Sequence, residues 1–155
     1  MRIYGKKTRG FSILEVILTI VIMSVLVGLA ATYYSNSQIR ADVNSQAANI
    51  IHYLRLAQSN AASGLNNANH GLHFEASSYT IFEGELYNNN DPENVKIDLP
   101  STITINGINL DGGGHDVIFL KATGETDNFG TITLNSAAIN KTVTIIVNYV
   151  GTINY

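Results

Sequence analysis

FSILEVILTIVIMSVLVGLAA, residues 11 to 31, decides how the rest of the chain is read. It is an apolar run carrying one full charge, Glu15. A helix needs about 20 such residues to cross the hydrocarbon core of a bilayer, so the run is long enough to span one. The residues before it, MRIYGKKTRG, hold Arg2, Lys6, Lys7 and Arg9. Basic residues beside a span tend to stay in the cytoplasm, which predicts the N-terminus inside and the C-terminal body outside. Three readings compete for the segment: a secretory signal cut after its apolar part, a plain anchor, and a short leader cut ahead of the apolar part. The first would be cut at the small residues Gly28 to Ala31, and it leaves Glu15 unexplained. A carboxylate in hydrocarbon is costly unless it finds a partner, so an intramembrane acid is by default a functional residue.

The string Gly10-Phe11-Ser12-Ile13-Leu14-Glu15 closes a short basic leader on glycine and follows it with phenylalanine and an acid. In this it resembles the cleavage and N-methylation motif of type IV prepilins. The resemblance implies that a membrane prepilin peptidase cuts between Gly10 and Phe11 and methylates the new Phe11 amine. It also implies that Glu15 partners such an amine. The physical logic runs without the family: cleavage would place a positive amine at the head of an apolar helix, four residues from a carboxylate that cannot stay unpaired in lipid. The pair can form within one subunit. Between subunits, Phe11 of one and Glu15 of its neighbour would set the axial register of a helical fibre, and this is the arrangement the resemblance implies. The bland alternative is that Glu15 is a tolerated polar residue near the membrane interface.

Composition narrows the rest. Of 155 residues, 45% are hydrophobic and only 14% charged, which excludes a disordered chain and sets the N-terminal run apart as a special segment. From residue 11 onward five basic residues face all twelve acidic ones. An acidic body repels phosphate backbones, so no nucleic-acid partner is expected. With no cysteine, disulfides and thiolate metal sites are excluded.

Past Tyr33 and Tyr34, an aromatic pair suited to the membrane interface, an apolar stripe recurs every three or four residues. It comprises Ile39, Val43, Ala47, Ile50, Leu54, Ala57, Ala61 and Leu65. Gly64 is the expected C-terminal stop. A helix over 11 to 63 would be about 80 Å long at 1.5 Å per residue. From His70 onward, β-branched and aromatic runs alternate with Gly, Asn and Asp. They predict strands at 71–75, 78–82, 95–98, 102–105, 117–122, 131–135, 142–149 and 152–154. The expected fold is α+β, a pilin-like lollipop: one long helix, half membrane-embedded and half amphipathic, packed on antiparallel sheet. Its segments are a leader 1–10, a transmembrane and assembly helix 11–34, an amphipathic helix 35–65 and a β-rich part 66–155 of the same domain.

Three further strings are Val117-Ile118-Phe119, then Gly130-Thr131-Ile132-Thr133-Leu134 after a loop with Gly124, then Val143 to Val150 followed by Gly151-Thr152-Ile153. In order and form they are similar to the H-type minor pseudopilins of type II secretion and the FimT-type minor pilins. Gln58 departs from that pattern, standing where an Ala-Arg pair is expected.

Other candidates have bland readings that are preferred. His70-x-x-His73 falls where a strand begins, so its rings would point to opposite faces and hold no metal. Asp111-Gly-Gly-Gly-His-Asp116 offers oxygens to calcium, as a C-terminal loop does in some pseudopilins, but lacks the spaced acids and bidentate Glu of a calcium loop, so a Gly-rich hairpin turn is expected. It opens no helix and has no Lys-Ser or Lys-Thr, so it is no phosphate loop. Glu83 and Glu85 read as solvated edge charges, and Tyr87 to Pro92 as a surface loop where a partner would bind. No nucleophile elbow is present, and neither catalysis nor a cofactor is expected.

The function expected from sequence is therefore a minor pseudopilin or pilin subunit. It would be held in the bacterial inner membrane, processed by prepilin peptidase, and assembled with other pilins and a membrane platform into a pilus or pseudopilus. Two alternatives stay open: a tethered or secreted β-rich binding module, and a major pilin, which the missing cysteine pair disfavours.

Overall fold

The structure, a computed structural model, describes residues 10–155. The expected leader lies outside the described residues except for Gly10. One helix, α1 (Ile13–Ser63), is followed by a 3₁₀ turn (Leu65–Asn67) and eight strands. These are β1 (His70–Phe74), β2 (Ser78–Glu83), β3 (Val95–Asp98), β4 (Thr104–Leu110), β5 (Asp116–Phe119), β6 (Gly130–Ser136), β7 (Lys141–Val147) and β8 (Ile153–Asn154). The α+β class is as expected, with the sheet divided in two. One sheet has the order β3-β2-β1-β5, the other β4-β6-β7-β8, and every pairing is antiparallel.

By its contacts the chain falls into two units, one ending at Ser37 and the other running Gln38–Tyr155. The second unit has a single core. Val43, Ala47, Ile50, Leu54, Ala57 and Ala61 of the expected stripe are buried in it, and Ile51 joins them. Leu65 is exposed, because the helix has already ended. Gly64 ends it by taking a left-handed φ of 71°, a conformation that costs an L-residue with a side chain but not glycine.

Both sheets offer alternate residues to this core: Leu72, Phe74, Tyr79, Val117 and Phe119 from the first, Ile132, Leu134, Ile145 and Val147 from the second. The period of two in each strand thus sets which residues face the helix. The strings that suggested the pseudopilin likeness owe their alternation to this inward-facing set.

Three expectations fail. Strand β5 ends at Phe119 where Ala122 was expected, and Ala122 takes a left-handed φ of 70°. Strand β4 runs on to Leu110 where an end at Ile105 was expected, and passes Asn106 and Gly107 through a bulge. The Gly-rich stretch Asp111 to His115 is not a hairpin turn. It joins β4 to β5, which lie in different sheets, β4 pairing with β6 and β5 with β1.

Candidate assembly and processing site

In the first unit, α1 begins just after the Gly10-Phe11 pair. The carbonyl of Ser12 accepts from the backbone N–H of Glu15 at 3.0 Å and of Val16 at 3.2 Å, so Ser12 occupies the cap and Glu15 stands in the first turn. Ser12-x-x-Glu15 has the spacing of a capping box, a local signal the reading above did not use. A carboxylate in that turn also meets the positive end of the helix dipole. The sequence thus gives Glu15 a local compensation as well as an intermolecular one. Gly10, Phe11, Ser12 and Glu15 together line an open recess.

Every large apolar residue from Phe11 to Leu29 is exposed, and the most apolar 18-residue window of the helix has a mean hydropathy of 2.7 with none of it buried. Side chains of this kind need lipid or other helices around them. Two hydroxyls inside the segment are already satisfied: Thr19 donates to the Val16 carbonyl and Ser24 to that of Ile20, each at 2.8 Å. Back-bonding of this kind lets a hydroxyl sit in an apolar setting. The one unmatched charge in the apolar run is Glu15.

Residues 5–31 match the family model of the prokaryotic N-terminal methylation motif. The chain carries a prepilin-type N-terminus. This motif supports a type IV pilin-like protein, processed by prepilin peptidase, assembled with other pilins and anchored through its apolar helix. Comparison with curated proteins and with solved structures finds no match.

Other sequence candidates fall in the second unit. His70 is buried, with Nε2 at 3.2 Å from the Leu65 carbonyl. His73, three residues along the strand, turns the other way, with Nδ1 at 2.5 Å from Asp116 Oδ1 and its ring stacked on Tyr87 at 3.9 Å between centroids. Asp116 is therefore engaged by His73, while Asp111 and His115 are exposed in the connection between the sheets. Among the described residues no group of three His, Asp or Glu is placed to hold a metal ion. Glu83 accepts from Asn66 Nδ2 at 2.8 Å, and Glu85 is exposed. Gln58, which departs from the pseudopilin pattern, donates to the Gly124 carbonyl at 3.4 Å.

Sequence reasoning missed two features, because each depends on how distant strands and the helix pack together. Glu75 accepts from Lys96 Nζ at 2.8 Å and from Ser78 Oγ at 2.6 Å. The bond from Lys96, then that from Ser78, holds the Glu75 carboxyl below its ordinary range, and the same contact with Glu75 raises the Lys96 ammonium. Tyr79 is fully buried, and its hydroxyl has no partner among the described residues. Desolvation, followed by the nearby Tyr53, pushes its pKa up to about 12.

Proposed function

We propose that this chain is a minor pilin or pseudopilin that acts by assembly and not by catalysis. It is cut between Gly10 and Phe11, methylated on the Phe11 amine, and built into a type II secretion pseudopilus or a type IV pilus. The match of residues 5–31 to the methylation motif carries this reading. The exposed apolar helix supports it, because a surface of that kind is stable only in lipid or against neighbouring helices. In the membrane, the Glu15 carboxylate would pair with a Phe11 amine, and in the fibre with that of a neighbour, so that charge neutralisation selects one axial offset among many apolar ones. The body would lie on the outer side of the inner membrane, following the basic leader. Neither a metal nor a cofactor is needed for this role. The order of the C-terminal strands favours the H-type and FimT-type minor subunits.

The test is N-terminal sequencing and intact mass of the membrane-extracted protein, expressed with and without its prepilin peptidase. N-methylphenylalanine at Phe11, only when the peptidase is present, is the expected result. An intact Met1, or a new terminus near Thr32, would overturn it in favour of a tethered or secreted β-rich module.

A further inference from the structure

The sheet β4-β6-β7-β8 turns one face to the core and the other to solvent, and the outward face is almost free of charge. Register places Thr104, Asn135 and Thr142 in one row across it and Asn109, Thr131 and Ile146 in another. Lys141 is the single charged residue of these four strands, and every acid of the second unit lies outside them. The Asn109 row ends at a recess of about 260 Å³ lined by Asn109, Leu110, Asp111, Phe129 and Gly130. Phe129 is 38% exposed and Tyr149 50%, and the two rings meet edge to face with centroids 6.3 Å apart at 83°.

We propose that this recess binds an uncharged sugar residue of a polysaccharide, with Phe129, braced edge-on by Tyr149, as its apolar wall and Asn109 and Asp111 as its hydrogen-bonding groups. A pyranose presents a face of C–H bonds, slightly positive, which suits the negative face of an aromatic ring. Its hydroxyls donate to a carboxylate and both donate to and accept from an amide, the two groups at the rim of the recess. The volume falls below the roughly 300 to 1,000 Å³ of sites for drug-sized ligands, which fits one ring of a longer chain. The neutral rows beyond would let that chain continue across the sheet without meeting a charge to desolvate. A protein partner fits less well, because the hot spots of protein interfaces are rich in Trp, Tyr and Arg and poor in Thr and Ser, whereas these rows are threonine and asparagine with Ile146 alone apolar. The inference rests on the C-terminal unit alone and stands whether or not the chain enters a fibre.

The experiment uses the full chain in micelles of a zwitterionic detergent, so that no sugar head group competes. It is passed over insoluble chitin and cellulose and over an array of neutral gluco-, manno- and galacto-oligosaccharides. Retention on at least one probe is expected. Phe129→Ala and, separately, Asn109→Ala should weaken that binding about tenfold or more, the loss of one good contact, while Phe129→Tyr keeps it. Leu86→Ala, exposed between β2 and β3, serves as the control and should change nothing. Asn109 is exposed, so its variant separates lost binding from lost folding. Three results would each overturn the proposal: no retention of the parent chain on any probe, retention indifferent to both Phe129→Ala and Asn109→Ala, or disulfide cross-linking of Phe129→Cys between copies in assembled fibres.

Discussion

Glu15 concentrates the residue-scale argument, because it is the single charge in a segment that is otherwise apolar apart from three hydroxyls, two of them internally hydrogen-bonded. Replacing it by valine removes the desolvation cost, so Glu15→Val should insert into the membrane at least as well as the parent and still be cleaved. It should not appear in sheared filaments, since the charge that selects the axial offset is gone; immunoblots of membrane and sheared fractions separate the two effects. Tyr79 gives a prediction of another kind. Its pKa is raised to about 12 from an ordinary 10.0 because burial disfavours the phenolate. The neutral ring is favoured in the folded state, so its contribution is whole below pH 10. It is lost as pH rises towards 12, by at most about 1.4 kcal/mol per pH unit for one proton. Absorbance titration should show one of the eight tyrosines ionising late, only as the fold is lost. Tyr79→Phe should abolish that late step and leave stability within about 1 kcal/mol of the parent, because the hydroxyl it removes has no partner. The Glu75–Lys96 pair is half exposed, so solvent screens it and its contribution to stability should be small. With Glu75 depressed, that small contribution is present above its ordinary 4.5 and fades as pH falls below it.

At the scale of elements, the joint between helix, loop and last strand is held by Gln58 between Gly124 and Gly151. Gly151 has φ 81°, and a Cβ there would run into Gln58 Nε2 and the Gly124 carbonyl. Gly151→Ala should therefore cost about 2 to 4 kcal/mol, strain and clash together. Adding Gln58→Ala should recover part of that cost, because one colliding side chain goes; a double-mutant cycle of denaturant melts measures the coupling. This joint was invisible in the sequence, where Gln58 registered only as a departure from a pattern, since its partner is 66 residues away. The helix was legible to within two residues of its end because period 3.6 and a terminal glycine are local signals. Strand β4 was cut short for the converse reason: Asn106-Gly107 is the strongest local hairpin signal, and a bulge carries the strand through it. The Gly-rich stretch was misread alike, for a hairpin depends on which strands pair, and β4 finds its partner beyond β5. The prepilin-type motif was legible because it lies in one contiguous stretch, residues 5–31; the His73–Asp116 pair, 43 residues apart, was not.

For the whole molecule, what matters is where the core begins. Among the described residues the first fully buried one of the helix is Val43, and every core residue lies after it, within Gln38–Tyr155. None of the apolar side chains from Phe11 to Leu29 takes part. Removing residues 1–37 therefore removes the surface that needs lipid and none of the packing that holds the body together. The remaining chain has eleven acidic and five basic residues, a net charge that favours solubility. It should be expressed as a soluble monomer and melt in one cooperative transition, measured by circular dichroism and size-exclusion chromatography. Cutting instead before His52 removes Val43, Ala47, Ile50 and Ile51 from the core, and each buried aliphatic lost costs about 2 to 5 kcal/mol. Against a total stability of about 5 to 15 kcal/mol, that shorter chain should not fold. A soluble, cooperatively melting product from the second cut would mean that the two sheets hold together without the first turns of the helix in their core. Aggregation of the first would mean that the body depends on residues before Gln38.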